Sequence, residues 1–223
     1  MLPDWLPWLL QVNDSAFPSG AYAHSLGLEE LVQAEVVRTP EELEVFLQRQ
    51  VMPSLLAFEI PVLAAAHGMA GRGDLSALQT LDGELEGWKL AAELRAASRQ
   101  LGSRRLALTR QLEDSPLSGA YAALGAPCHH LIVCALELRA LPVEAAACAF
   151  AQQTVAGYAT AAMKLMRLGQ EKCQGIIRRS LVALGPQLEA ACRVPLEEAG
   201  WFNPLLEIAS MRHARAGERL FIS

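Results

Sequence analysis

At 223 residues the chain is long enough to bury a substantial core and short enough to form one domain, residues 1–223. Apolar residues make up 52% and aromatics only 6%, so Ala and Leu supply most of the apolar surface, a composition that favours an all-α protein over a sheet. The net charge of −5 argues against general nucleic-acid binding, and Cys128, Cys134, Cys148, Cys173 and Cys192 contain no C-x-x-C pair, which suits a reducing cytoplasm better than a zinc or disulfide framework.

In chain order, Met1–Val12 reads as a short helix with Trp5, Trp8 and Leu9 on one side, and it lacks the basic start of a secretory signal. Residues 13–20 form a turn: Asn13, Asp14 and Ser15 stop the helix, Pro18 fixes φ, and Gly20 tolerates φ > 0. A helical pattern resumes through Tyr22, Leu26 and Leu28–Leu31. Thr39-Pro40-Glu41-Glu42 is a helix start of capping-box type, followed by an apolar stripe of Leu43, Phe46, Leu47 and Val51. Pro53 and Pro61 are expected to interrupt the chain beyond that stripe, and Gly68–Gly73 to be a loop. Asp74 opens another helix. Glu84–Leu112 is expected to be helical with a break at Gly102, followed by shorter helices at Ser115–Gly125 and Cys128–Arg139. Pro142–Leu168 is long and apolar. Gln152 and Gln153 at its middle favour a core helix over a membrane span, and Gly169 suits the position that ends it. Gln170–Cys192 is the next helix, bent or broken at Gly185-Pro186, and Asn203-Pro204 caps the last. The sum is a bundle of about eight to ten helices.

Three segments carry a further signal. Val12–Glu30 reads VNDSAFPSGAYAHSLGLEE, Ala161–Gln174 reads AAMKLMRLGQEKCQ, and Phe202–Ser223 reads FNPLLEIASMRHARAGERLFIS. In content and order they resemble the motifs of the urease accessory protein UreF family, nickel-insertion chaperones. Residues 35–140 add little to the resemblance beyond Gly102–Leu106. The resemblance implies a helical adaptor, not an enzyme, that bridges the UreD (UreH) scaffold and the UreG GTPase, engages apo-urease and couples GTP hydrolysis to nickel delivery. It also implies a homodimer. Carried over motif by motif, the partner-binding residues are Phe17, Pro18, Gly20, Tyr22, His24 and Glu29; then Lys164, Gly169, Gln170 and Gln174; then Arg219, Leu220, Phe221 and Ser223. The turn at 15–20 with Tyr22 and His24 is expected to be contact surface, Lys164 to face the GTPase, and the C-terminal segment to dock on the scaffold without contributing to the fold.

The residues themselves leave other readings open. No phosphate loop, Gly-x-Ser-x-Gly or His-Glu-x-x-His motif occurs, so no catalysis or nucleotide hydrolysis by this chain is expected. His24, His67, Cys128, His129, His130 and His213 are candidate metal ligands. Adjacent His129 and His130 point about 100° apart on a helix, so no stable metal site is expected, although imidazole and thiolate suit a transient nickel contact. The rival functions are a helical metal-binding enzyme using His24, His129, His130 and His213, and an interaction module unrelated to urease. Arg95, Arg99, Arg104, Arg105 and Arg110 read as a solvated face with local carboxylate pairing. Residues 1–60 hold nine acids and two bases, an asymmetry that reads as a solvated acidic helix face.

Overall fold

Short-range signals set most helix starts. A computed structural model describes residues 2–223 and contains ten α-helices and no strand among them. They are α1 (Leu6–Asn13), α2 (Leu28–Gln33), α3 (Pro40–Gly71), α4 (Leu75–Trp88), α5 (Ala92–Leu112), α6 (Pro116–Ala123), α7 (His130–Glu137), α8 (Val143–Leu165), α9 (Gln170–Cys192) and α10 (Pro204–His213). Thr39, Asp74, Ser115 and Asn203 each accept a backbone N–H from the first turn of the helix they precede. At the Thr39 cap, Glu42 reaches back to the Arg38 amide, one residue earlier than the capping box would have it.

Helix α7 is the centre of the protein. Leu131–Glu137 are all buried, as expected of a helix that is apolar all round. α5 and α3 pack on it, and α8 lies along α9. Ala146, Ala147, Ala151, Ala159 and Ala162 give α8 a small-residue surface that lets its neighbours come close. The expectation of a core helix at 142–168 is met. Among the described residues, the helix with the length and apolar composition to cross a membrane is instead α3, and 44% of its apolar window is buried inside the protein.

Several sequence expectations need correction. Pro53 and Pro61 do not interrupt α3. A wide π turn precedes each, at Leu47–Val51 and Leu55–Glu59, and absorbs the proline ring and its missing N–H. The Ala57 carbonyl, which Pro61 cannot bond, accepts the Gly200 N–H at 2.8 Å, and the Gln50 carbonyl accepts from Asn203 Nδ2 at 3.3 Å. The same residue that caps α10 thus fastens it to α3. α3 also runs through Gly68 to Gly71, so the loop there is shorter than the glycines suggest. Pro186 lies inside an unbroken α9, and Gly169 is the N-cap of α9 in extended conformation, not the left-handed end of α8.

Gly102 does not break α5; the break falls at Lys89–Ala91. Its role is steric. A Cβ there would lie 1.9 Å from the Cys128 carbonyl oxygen and 2.8 Å from the His129 carbonyl carbon. The tight turn before α7, with Cys128 at φ +62°, is tied to α4 by buried Asp82, which accepts from Cys128 N at 2.6 Å, His129 N at 2.9 Å and Tyr121 Oη at 2.7 Å. Gly102→Ala forces backbone against backbone. Overpacking costs about 1–3 kcal/mol or more, and a domain of this size loses roughly 2–4 °C per kcal/mol, so thermal denaturation should show a fall of roughly 5–10 °C. An unchanged melting temperature would show that α5 and α7 separate freely.

Candidate functional site

A buried carboxylate joins the first and third sequence motifs, and Lys164 of the second reaches the same place. Glu29, on α2 and only 2% exposed, accepts the backbone N–H of Leu220 at 2.7 Å and of Phe221 at 3.0 Å. Its Oε2 also lies 2.9 Å from His213 Nε2 of α10. The other His213 nitrogen faces Glu93 of α5 at 3.0 Å, and Glu93 pairs with Arg219 at 3.4 Å. A ring with N–H on both nitrogens donates to both carboxylates. Two turns of chain complete the attachment. Ile222 N–H bonds the Ala23 carbonyl at 2.8 Å, and the amides of Ser25 and Leu26, with the Ser25 hydroxyl, converge on the Ser223 backbone oxygen. Leu26 at φ +53° and Gly27 at φ +89° turn these N–H groups onto one acceptor, an arrangement that leaves strain at Leu26.

This geometry corrects three expectations. The C-terminal segment folds back on its own chain: Phe221 and Ser223 are buried, while Leu220 and Ile222 remain exposed. His24 is buried, not presented at the surface; its Nδ1 pairs with Ser223 Oγ at 2.7 Å, and burial, with Arg104 nearby, holds its pKa below the ordinary value. Glu29 is an internal anchor. Of the remaining residues, Pro18 and Tyr22 are exposed, and Gly20 takes φ +88° with Arg104 packed against it. Phe17 is half-buried, with the Arg105 guanidinium 5.3 Å from its ring centre. Lys164 donates to the Tyr22 carbonyl at 3.1 Å, lies over the Tyr22 ring, and sits 4.7 Å from the Phe221 ring centre. Gly169, Gln170 and Gln174 are exposed at the start of α9, and Arg219 is exposed.

Arg105 is not part of a solvated face. It is 2% exposed, bonds Glu137 through Nε at 2.6 Å and Nη2 at 3.0 Å, and donates to the Val12 carbonyl at 3.0 Å and to Gln153 at 3.4 Å. It thereby fixes the end of α1 and the turn beyond it. The candidate metal ligands are not gathered either. His67 bonds the Leu138 and Leu141 carbonyls, His129 pairs with Ser98, and His130 pairs with Cys134. No group of three or more His, Cys, Asp or Glu among the described residues could hold a metal ion.

Comparison with known proteins bears on this face. The UreF family model matches residues 37–181. The chain is 31% identical to urease accessory protein UreF of Paenarthrobacter aurescens, with 96% of each chain covered. It is 32% identical to that of Bacillus sp. TB-90 and 33% identical to that of Azoarcus sp. BH72, over 96% of this chain and 97% and 94% of theirs. The chain belongs to the UreF family of urease accessory proteins. The family match covers residues 37–140 of the stretch in which the motifs gave almost no resemblance, so UreF character extends beyond them.

The Glu29 anchor has consequences for stability. Burial alone would raise the Glu29 carboxyl; the Leu220 amide, the His213 ring and the Phe221 amide outweigh it and hold the group below the usual carboxylate range. A carboxyl lowered on folding stabilises fully above its unfolded value and loses that contribution as pH falls through the folded one. Hydrogen-exchange protection at Leu220 and Phe221 should therefore drop below about pH 4.3 before that of α7 does; protection that falls in step across both would count against the anchor. Deleting residues 219–223 removes about 1.5–3 kcal/mol of Phe221 burial and unpairs Glu29 at about 1–3 kcal/mol more. At roughly 2–4 °C per kcal/mol, the melting temperature should fall by roughly 5–20 °C. An unchanged one would restore the expectation that this segment lies outside the fold.

Proposed function

We propose that this UreF-family chain is a non-catalytic adaptor of urease maturation in the cytosol. In this role it bridges the UreD (UreH) scaffold and the UreG GTPase, works as a homodimer on apo-urease, and couples GTP hydrolysis to nickel delivery, with nickel as passing cargo. The observation that supports the reading best is the face around Tyr22. This aromatic side chain is 77% exposed yet braced by Lys164, with exposed Leu220 and Ile222 on the segment bonded to the neighbouring backbone. A rigid, exposed aromatic beside a cation and aliphatic side chains is the kind of surface that carries binding energy in protein interfaces.

Tyr22 is 77% exposed, so Tyr22→Ala should weaken assembly with the scaffold and GTPase by roughly 30-fold, the equivalent of about 2 kcal/mol. Its melting temperature should stay close to that of the parent chain. Lys164→Ala should change GTP turnover in the assembled complex, and because the two side chains touch, the double variant should fall short of the sum. Affinities come from titration of purified partners. Wild-type assembly and GTP turnover in both single variants would remove this face from the adaptor role.

A further inference from the structure

Behind the aromatic side chains Phe58 and Trp88, which meet edge to face at 5.8 Å, a cavity of about 150 Å³ lies between α3, α5, α7, α8 and α10. Phe58, Trp88, Phe150, Tyr158 and Trp201 all contribute to its wall. The charged side chains that line it are two carboxylates, Glu59 and Glu207, both partly exposed, and one ammonium, Lys89. Glu207 accepts the Ala91 N–H at 2.5 Å, and neither carboxylate forms an ion pair among the described residues. None of Tyr22, Lys164, Leu220 and Ile222 lines the cavity.

The chemistry of the lining narrows what fits. The faces of aromatic rings are the negative side of their quadrupoles and attract a cation within about 6 Å of the ring centre. Two carboxylates against one ammonium add to that attraction and repel an anion. His130, also in the lining, does not offset them, because burial and the neighbouring Arg105 and Lys89 lower it to about 3. A neutral apolar guest would take water from both carboxylates and return nothing. A bare metal ion would find no set of three His, Cys, Asp or Glu ligands among the described residues. An alkylated ammonium answers both halves of the lining: its methyl groups pack on the rings and its charge faces the carboxylates. A cavity of about 150 Å³ holds a benzene-sized guest, which suits a free small molecule and not a length of polypeptide.

We propose that this cavity binds a small quaternary ammonium compound, held by the aromatic wall of Phe58, Trp88 and Trp201 and by the carboxylates of Glu59 and Glu207. The site is separate from the adaptor face and stands whether or not the adaptor reading holds. The test is titration of the full ¹⁵N-labelled chain, at constant ionic strength in sodium chloride, with tetramethylammonium chloride and with tert-butanol, a neutral molecule of similar size and shape. The readout is the Trp88 and Trp201 indole signals and the backbone amides around the cavity. Tetramethylammonium should give saturable shifts there, and tert-butanol should bind about tenfold more weakly or not at all. Trp88→Leu and Trp201→Leu should each weaken tetramethylammonium by about fivefold. These side chains are 41% and 45% exposed, so the variants should fold, as circular dichroism can check. Glu59→Gln should weaken binding by a similar factor, whereas Lys89→Met, which removes the competing ammonium, should tighten it by about threefold. That opposite pair of shifts decides if a tryptophan variant does not fold. Shifts that grow without saturating, equal affinity for tert-butanol, or an affinity unmoved in both Glu59→Gln and Lys89→Met would overturn the proposal.

Discussion

The arrangement of the chain ends depends on one buried carboxylate. Glu29 is removed from water at a cost that only several strong partners offset, and those partners come from distant parts of the chain: the Leu220 and Phe221 amides and the His213 ring. His213 carries the constraint onward to Glu93 of α5. A charged group with so many directional partners specifies one arrangement, where apolar packing alone would tolerate sliding. The C-terminal segment therefore takes one register, Phe221 is brought beside Lys164, and Lys164 braces Tyr22. The exposed face inherits its geometry from the interior.

Freed backbone groups do similar service elsewhere. Proline within a helix leaves a carbonyl without its donor, and in α3 the Ala57 carbonyl becomes the acceptor for Gly200. Asp82 collects two successive amides at the turn before α7, which lets that turn approach α5 so closely that only Gly102 fits. Both devices place α7 and α10 against α3 and α5, and the cavity that Tyr158 and Glu59 line lies where these helices meet.

Features that depend on a few neighbouring residues are legible in the sequence. The caps at Thr39, Asp74 and Asn203 and the stripe of Leu43, Phe46, Leu47 and Val51 each follow from local hydrogen bonding or helical spacing, and all appear as expected. Pro53, Gly102 and Gly169 depart from expectation because a π turn absorbs the first, an approaching backbone requires the second, and the third starts the next helix. Arg105 looks in sequence like one member of a basic run, and partners far along the chain take it inside: Glu137, Gln153 and the Val12 carbonyl. The resemblance marks His24 and Glu29 as partner contacts, but both are buried. Their partners at 213–223 lie at the far end of the chain, and no periodicity reports a contact of that span.

Charge offers a last example of long-range organisation. The acidic excess of residues 1–60 does not form a free acidic face. Glu41 pairs with Lys172 and Glu44 with Arg179, both on α9, Glu42 pairs with Arg38, and Glu29 is buried against His213. Exposed pairs of this kind contribute little to stability, but they match an acidic α3 to a basic α9 and disfavour other packings of two similar helices. Around Tyr22 the balance differs. Arg104 packs on Gly20, Lys164 on Tyr22, and neither forms an ion pair among the described residues. In a chain of net charge −5, the exposed aromatic is thus framed by cations whose countercharges are not supplied internally. For an adaptor, this is where a partner's charge has most effect, because such charges at the edge of an interface govern encounter rate and choice of partner more than final affinity.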